Sequence, residues 1–365
     1  MTKVLVISTI GLGMYGITNS IMNYYRALDK SDLQIDFLSP SKIPVNLREE
    51  IIKNGGILYE NINRNKNIIG YILQLSKILK NGNYDIVHAH GNSGTLAIEM
   101  KVAKMCKVKV RIAHVHNSTC NHKLLNKLLI YIFNNSYTHG FACSQQAGLW
   151  LFGQKPFTII NNAIPITKFF YNKKIRDKYR KKLDMENNKV IGHVGHFSYQ
   201  KNQEFLIYIF ADIYRKDPSY RLLFVGDGDL KNKTKNLVKE LGLSDVVRFC
   251  KETVYIDKLL QAIDIFAFPS RFEGLGMAVI EAQAAGLPCI VSDAVPSEAK
   301  IIDNVIFLKL TDQKNVWINK IMEFGQLDRE ECFEHNRELV QNSIYNIENE
   351  AMKLKNLYVS FALEK

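Results

Sequence analysis

Short apolar runs alternate with longer segments in which apolar residues recur every three or four positions. Runs of the first kind predict buried strands, and segments of the second kind predict amphipathic helices. The predicted strands are residues 3–8, 34–38, 84–90, 109–116, 138–143, 157–160, 190–195, 221–226, 246–249, 264–268, 288–292 and 305–308. Strands that alternate with helices predict parallel, doubly wound sheets.

The strand–helix rhythm restarts after residue 165, and 365 residues are long for a single core. We therefore expect one domain over 1–165, a second over 166–345 and a closing helix over 346–365. That helix carries an apolar stripe, formed by Ile347, Met352, Leu354, Leu357 and Phe361.

The composition is that of a soluble globular protein, with 47% hydrophobic and 23% charged residues. No apolar run reaches the roughly 18 residues of a spanning helix. The first strand follows Met1 almost at once, without the plan of a signal peptide. Six scattered cysteines form no CxxC pair, which favours a reducing cytoplasm.

Positive charge is concentrated in the first half of the chain. The net charge is +12, and residues 1–165 hold 18 Lys/Arg against 8 Asp/Glu, a net charge of +10. This excess predicts an acidic partner, of which an anionic lipid or a lipid phosphate ranks above nucleic acid because no nucleic-acid-binding module is present. A general lysine bias is the alternative. Residues 168–182 add eight basic residues and one acid, which predict either a lipid contact or a solvated helix face.

The most informative stretch is residues 264–288. An apolar strand ends at Phe268, and helix-forming residues run from Met277 to Ala285. Between them lies the turn Gly274-Leu275-Gly276, where free backbone N–H groups and the positive end of the helix dipole favour an anion.

Two carboxylates flank this predicted anion site. Glu273 lies in the loop and Glu281 lies in the helix, whose side chains lean back toward its N-terminus. A carboxylate can accept two hydrogen bonds from a sugar diol. The pattern predicts a ligand with phosphate in the middle and sugars on either side.

Residues 270–288 resemble the signature of the family-4 retaining glycosyltransferases of the GT-B fold. The resemblance implies two facing Rossmann-like domains, with the C-terminal helix crossing back to the first. It implies a nucleotide-sugar donor, with UDP-hexose the expected form and no other cofactor. It also implies that Glu281 holds the ribose and that Glu273 lies near the donor sugar.

Other segments resemble the same family. Residues 196–201 are similar to its Gly-Arg-Leu-x-x-x-Lys segment, which implies that Lys201 and His196 hold the donor diphosphate, although His196 stands where arginine is usual. The resemblance also implies that backbone atoms of the turn Cys250-Lys251 contact the base of the nucleotide. Cations and N–H groups would then replace a metal, so we expect no metal requirement.

Two histidine pairs, His88/His90 and His114/His116, lie at predicted strand ends. Residues at i and i+2 share one face of a strand. The pairs leave three possibilities open: a metal site, core histidines, or one active-site histidine. In the resembled family a histidine at this place contacts the donor sugar, and residues 113–118 assign that role to His116, with His114 as the weaker choice.

The loop Gly11–Gly16 reads GxGxxG after a strand and before a helix, as in dinucleotide-binding proteins. Asp36 lies at the distance expected for the ribose-binding acid, but inside its strand. The resembled family instead places Gly16 beside the donor diphosphate, and we prefer that interpretation. Asp227 and Asp229 form a DxD sequence that we expect to be a turn and helix cap rather than a metal site.

The expected function is retaining hexose transfer to a glycan or polyprenyl-linked sugar, in cell-surface polysaccharide synthesis at the inner face of the plasma membrane. Catalysis is assigned to His116, Glu273 and Lys201, with the acceptor attacking from the front face rather than Glu273 acting as nucleophile. Two alternatives are a nicotinamide-dependent oxidoreductase that uses the GxGxxG loop and a non-catalytic sugar-nucleotide binder.

Overall fold

The computed structural model describes residues 1–13, 16–120, 123–251 and 255–363. The chain divides into two compact units. The first comprises Met1–Ile164 together with Ile347–Lys365, and the second comprises Pro165–Asn346. Each unit is an α/β structure around a parallel sheet, so the expected fold class is confirmed.

The first unit has a sheet whose described strands follow the order β3-β2-β1-β4-β5-β6-β7. The strands are β1 (Thr2–Ser8), β2 (Leu33–Leu38), β3 (Leu58–Tyr59), β4 (Ile86–Gly91), β5 (Val110–Val115), β6 (His139–Ala142) and β7 (Thr158–Ile159). The helices are α1 (Gly16–Ala27), α2 (Val45–Lys53), α3 (Ile68–Gly82), α4 (Ala97–Met105), α5 (Lys123–Asn134) and α6 (Gln145–Phe152), with α14 (Ile347–Leu363) at the end of the chain.

Both faces of this sheet are buried, which is why its strands are continuous apolar runs. One face packs with α1 and α14, and the other packs with α3 to α6. On α14 the buried stripe comprises Ile347, Ala351, Leu354 and Tyr358. The predicted stripe was wrong at Met352, which is exposed, because the helix is rotated so that Ala351 faces the sheet.

The second unit has a sheet whose described strands follow the order β10-β9-β8-β11-β12-β13. The strands are β8 (Lys189–Val194), β9 (Tyr220–Val225), β10 (Val247–Cys250), β11 (Ile265–Phe268), β12 (Cys289–Ser292) and β13 (Val305–Leu308). The helices are α7 (Lys173–Leu183), α8 (Gln203–Lys216), α9 (Lys231–Glu240), α10 (Ile256–Gln261), α11 (Met277–Ala284), α12 (Lys314–Phe324) and α13 (Arg329–Gln341).

The strand order reverses direction at one place in each sheet, between β1 and β4 in the first and between β8 and β11 in the second. In open α/β sheets, ligands bind beyond the carboxyl ends of the strands at such a switch point. The loops that follow these four strands are therefore the places where functional side chains are expected.

The basic segment 168–182 is more than a solvated helix face. Arg176 and Arg180 on α7 point inward and make ion pairs of 2.5 Å and 3.0 Å with Asp264, the residue before β11. These two cations outweigh the effect of burial and keep the pKa of Asp264 below its ordinary value. The pairs therefore fix the strand that leads into the 264–288 stretch.

Among the described residues, no helix is both long enough and apolar enough to cross a membrane.

We expect Leu354→Ala to lower the free energy of unfolding by about 2–5 kcal/mol, because Leu354 is 3% exposed and its truncation leaves a cavity against α1. Met352→Ala is the matched control on the same helix, and its effect should stay within about 0.5 kcal/mol because Met352 is 60% exposed. Urea denaturation measures both values, and equal losses would contradict the packing of α14.

Candidate active site

The loops that follow β8 and β11 meet through an ion pair between Lys201 and Glu273. The Lys201 Nζ lies 2.6 Å from Glu273 Oε1, and the two side chains are only 17% and 6% exposed. The same ammonium lies 4.5 Å from the centre of the Phe268 ring. Two of the residues predicted as catalytic are thus in contact at the switch point of the second sheet.

Further contacts join the same two loops. The Arg271 N–H donates to the Gln200 carbonyl at 2.7 Å, and Gln200 Nε2 donates to the Phe272 carbonyl at 3.0 Å. The Arg271 guanidinium also lies 4.1 Å from the centre of the Tyr199 ring. The position of Lys201 relative to Glu273 is therefore set by backbone as well as by side chains, and sequence reasoning found none of these contacts.

His196 is exposed in the loop after β8, and its backbone carbonyl accepts a hydrogen bond of 3.0 Å from Gln203 Nε2. Its imidazole lies over Gly228 in the loop after β9. A side chain at Gly228 would lie 2.9 Å from the imidazole and 2.6 Å from the Phe197 backbone, at a φ of +147°. Glycine is thus required there for His196 and Phe197 to pack so closely.

The turn Gly274-Leu275-Gly276 opens helix α11 as predicted. Gly276 is the N-cap residue in the left-handed conformation, with φ of 84°, and it provides no side-chain cap. The Val279 N–H donates back to the Gly276 carbonyl at 2.8 Å, so in the first helical turn the N–H groups of Met277 and Ala278 are available to an anion. Gly274 is exposed, and space for 4 Å around its missing side chain is open.

Glu281 lies in the second turn of α11 and is half-buried. Within the described ranges its carboxylate has no hydrogen-bond partner. Burial raises its pKa to about 7; Lys168 acts against that shift, and Asp257 adds to it. A carboxyl group whose oxygens have no hydrogen-bond donor and whose pKa is near neutrality is suited to accept hydrogen bonds from the hydroxyl groups of a ligand.

The other predicted segments of the second unit form turns at strand ends. The Cys250 carbonyl accepts a 3.0 Å hydrogen bond from the Gly226 N–H, and Lys251 is exposed beyond it. The Lys231 N–H donates to the Gly228 carbonyl at 3.1 Å, which closes a turn directly after Asp227, and the Asp227 carboxylate accepts from the Gly228 N–H at 3.0 Å. The helix-cap part of that prediction was wrong, because the N-cap of α9 is Leu230.

In the first unit the four histidines form one stack on the sheet face that α14 covers. His90 Nδ1 lies 2.8 Å from His116 Nε2, and His88 Nε2 lies 3.1 Å from His114 Nδ1. The Tyr358 hydroxyl on α14 lies 2.6 Å from His88 Nδ1. His88 and His114 are thus core residues, whereas His116 is half-buried just after β5, and its Nδ1 makes no hydrogen bond of normal geometry within the described part of the chain.

Burial determines the charge of this stack. It holds the pKa values of His88, His90 and His114 well below the ordinary range and lowers the pKa of His116 to about 4, although the Asn162 side chain opposes the shift at His116. His116 is therefore neutral near pH 7. It can exchange hydrogen bonds with a sugar hydroxyl, and His90 fixes the orientation of its ring.

Ring nitrogens of His88, His90 and His114 lie within 4.8 Å of one another, a grouping that could hold a metal ion. The stack is already joined by imidazole–imidazole hydrogen bonds, each of which needs one proton and no ion. That the activity of this chain requires no metal ion stays a prediction.

The glycine-rich loop lies at the switch point of the first sheet, where the Thr9 N–H donates to the His90 carbonyl at 3.0 Å. Gly16 begins α1, is exposed and has open space around it, as a ligand-facing glycine requires. Met14 and Tyr15 lie outside the described residues.

Asp36, the ribose-binding acid of the dinucleotide interpretation, is 2% exposed in the middle of β2. Its two oxygens accept hydrogen bonds from the Ile57 N–H at 2.9 Å and from the Tyr84 hydroxyl at 2.7 Å. The side chain therefore has a structural role that leaves it unsuited to a ribose.

The candidate residues fall into two groups. Gly16 and His116 belong to the first unit, and the others belong to the second. Sequence reasoning missed His90 and Tyr358 as partners of the histidine stack. The position of His90 two residues from His88 indicated that both lie on one face of the strand. It did not indicate the partner of His90, because His116 comes from a distant part of the sequence.

Two family models together match most of the chain. One described as "Glycosyltransferase Family 4" matches residues 14–167, and one described as "Glycosyl transferases group 1" matches residues 175–342.

Individual proteins agree with these matches. The chain is 31% identical over 327 residues to "Putative glycosyltransferase EpsF" of Bacillus subtilis, covering 85% of each chain. It is 28% identical over 325 residues to an Escherichia coli "UDP-Gal:alpha-D-GlcNAc-diphosphoundecaprenol alpha-1,3-galactosyltransferase", covering 80% of each. Anabaena Alr3699/HepE, solved in complex with UDP, matches with a TM-score of 0.78 at 17% identity over 99% of this chain and 100% of that one.

We expect the histidine stack to lower the free energy of unfolding as the pH is lowered from 7 to 5, whereas Glu281, whose pKa is raised to about 7, acts in the opposite direction. Unfolded histidine takes up a proton near pH 6.5, whereas folded His116 does so only near pH 4, so the unfolded state binds more protons in this window. His116 should contribute about 2 kcal/mol to the loss at pH 5.

His116→Gln should reduce this loss by about 2 kcal/mol, since it removes one titrating group. Urea denaturation at the two pH values measures the difference. An unchanged pH dependence in the variant would show that the pKa of His116 is not depressed.

Proposed function

This chain belongs to the family-4 glycosyltransferases with the GT-B fold, and from that premise we propose that it transfers a hexose from a nucleoside-diphosphate sugar with retention at the anomeric carbon. We propose a UDP-sugar as the donor. The UDP bound to HepE and the UDP-galactose in the name of the Escherichia coli relative support this choice.

The Lys201–Glu273 pair is the observation that carries the proposal. It lies at the switch point of the second sheet, in the same loop as the anion-binding turn that opens α11. A departing diphosphate needs cations and N–H groups placed before the reaction begins. Lys201, His196 and the Gly274–Gly276 turn are the groups we assign to that task, in place of a metal.

Glu273 is assigned to the donor sugar rather than to nucleophilic attack. Its carboxylate is engaged by Lys201, so it is oriented and partly neutralised. Retention then follows from attack of the acceptor on the same face from which the diphosphate leaves, with the departing phosphate accepting the acceptor's proton. His116, neutral near pH 7, would hydrogen-bond to the sugar during this step.

The donor would extend from this pair along α11. Glu281 would accept hydrogen bonds from the ribose hydroxyls, and the backbone at Cys250 and Lys251 would contact the base. Gly16 is assigned to the diphosphate by the same family resemblance. These assignments rest on family resemblance, on the unused hydrogen-bond acceptors of Glu281 and on the open space at Gly16.

The proposed acceptor is a glycan or a polyprenyl-linked sugar in cell-surface polysaccharide synthesis, used at the inner face of the plasma membrane. The diphosphoundecaprenol-linked acceptor in the name of the Escherichia coli relative supports it. So does the first unit, whose 21 basic and 11 acidic residues give it a net charge of +10.

A non-catalytic sugar-nucleotide binder is the second candidate, favoured by the histidine at position 196. The oxidoreductase alternative loses its support because both oxygens of Asp36 are engaged inside the first unit.

We expect the affinity for UDP to rise between pH 6 and pH 8 more steeply in the wild type than in Glu281→Gln. The Glu281 carboxyl, with a pKa of about 7, must ionise to accept two hydroxyl donors fully, and its ionised fraction rises about tenfold over this range. Calorimetric titration measures both proteins, and the glutamine variant removes from the comparison any titration of UDP itself. Parallel pH profiles would contradict the role of Glu281.

Transfer itself is tested with UDP-glucose and UDP-galactose and a short-chain lipid-diphosphate sugar as acceptor, with NMR of the product. We expect an α-linked product in the presence of EDTA, and a loss of kcat of about 100-fold in Lys201→Ala. A β-linked product would contradict retention. Activity that EDTA abolishes and Mg²⁺ restores would contradict metal independence, and UDP binding without turnover would favour the non-catalytic binder.

A further inference from the structure

Helix α5 presents an apolar stripe to solvent. Its residues and their exposed fractions are Leu124 (74%), Leu125 (45%), Leu128 (66%), Tyr131 (77%) and Ile132 (41%). At 100° per residue these positions fall within about 120° of one helix face. The opposite face already packs on the sheet through Phe133, which is fully buried. The stripe is therefore apolar surface beyond what the fold of the first unit needs.

Five large apolar side chains on twelve residues are more than the scattered exposure normal for a protein surface, and such clusters mark interaction sites. We call the five residues the α5 stripe.

The charge around the α5 stripe identifies its partner. Within the first unit, residues 100–164 contain eight Lys/Arg and no Asp or Glu. Lys127 is exposed on α5 itself. At the C-terminal end of the helix, Lys104 Nζ donates to the Asn135 carbonyl at 2.7 Å and Lys155 Nζ donates to the Asn134 carbonyl at 3.3 Å. An apolar stripe with cations on its helix and at its C-terminal end fits an anionic lipid surface.

We propose that the α5 stripe inserts into the surface of an anionic phospholipid bilayer. The proposal rests on the proposed function, because an acceptor on a lipid carrier is presented at such a surface. A second copy of the chain is the less suitable occupant, since two first units of net charge +10 would repel each other.

The attachment of α5 connects this surface to the first unit's candidate residues. The Gly94 N–H donates to Asn126 Oδ1 on α5 at 2.6 Å, which ties the helix to the segment that follows β4 and His90. His116 directly follows β5 and precedes the first residue of α5 by seven positions. A bilayer that holds the α5 stripe would thus lie on the side of the unit where the sugar-contacting histidine is placed.

The test is co-sedimentation of the full chain with vesicles of phosphatidylcholine alone or with phosphatidylglycerol, without any sugar nucleotide. We expect the wild type to bind the anionic vesicles and to release as salt is added. Leu128→Glu should lower the partition coefficient about tenfold or more, because it removes an inserted apolar side chain and adds a repelled charge.

Met352→Glu is the matched control, since Met352 is 60% exposed on α14 of the same unit and lies outside the α5 stripe. It should bind as the wild type does. Both variants should keep the wild-type thermal midpoint, because each changes a solvent-facing side chain.

Equal binding by Leu128→Glu, Met352→Glu and wild type would overturn the proposal, as would a wild type that does not bind anionic vesicles. A wild-type dimer that Leu128→Glu converts to a monomer, with no vesicle binding, would assign the stripe to a second copy instead. UDP release from UDP-hexose, measured without vesicles, reports failure of the proposed function separately.

Discussion

The geometry of the candidate donor site depends on one ion pair, between Lys201 and Glu273. The two residues are 72 positions apart in sequence, and they meet because β8 and β11 are neighbours in the second sheet. Because the two side chains are only 17% and 6% exposed, the ion pair holds the lysine in place before a ligand arrives. In the proposed function, a diphosphate would compete with Glu273 for the same ammonium, so binding and charge stabilisation would use one group.

Much of the fold could be predicted from the sequence. Strands such as β1 and β8, buried on both faces, are continuous apolar runs, and the organising strand–turn–helix at 264–288 was placed correctly. The small elements α2, β3 and α6 were not predicted, since short segments carry little periodic signal. The stripe of α14 was misjudged at Met352 because several helical faces were nearly as apolar as the one that is buried.

Only some features of the candidate site could be predicted from the sequence. Glu273, Lys201, the glycine turn and Glu281 could be found because one local motif and one resembling segment carry them. Sequence patterns could not reveal the pairing of Lys201 with Glu273, the hydrogen bonds that join the loops around Arg271, or the histidine stack. Each of these joins strands that are distant in sequence. The neutral state of His116 likewise depends on burial by its surroundings, which no sequence pattern records. Asp36 shows the reverse case: its spacing fits a motif, but its partners Tyr84 and Ile57 give it a structural role.

The central claim is that the second unit binds a nucleotide sugar through the loops after β8 and β11. Its most direct test is thermal unfolding of the wild type and of Lys201→Ala with UDP, GDP, NAD or NADPH in turn. At about 100 times its dissociation constant, a ligand should stabilise the native state by about 2.7 kcal/mol. The account predicts a rise in Tm with UDP that Lys201→Ala reduces. A rise with NAD or NADPH alone would contradict it, because the nucleotide would then bind at the glycine-rich loop of the first unit.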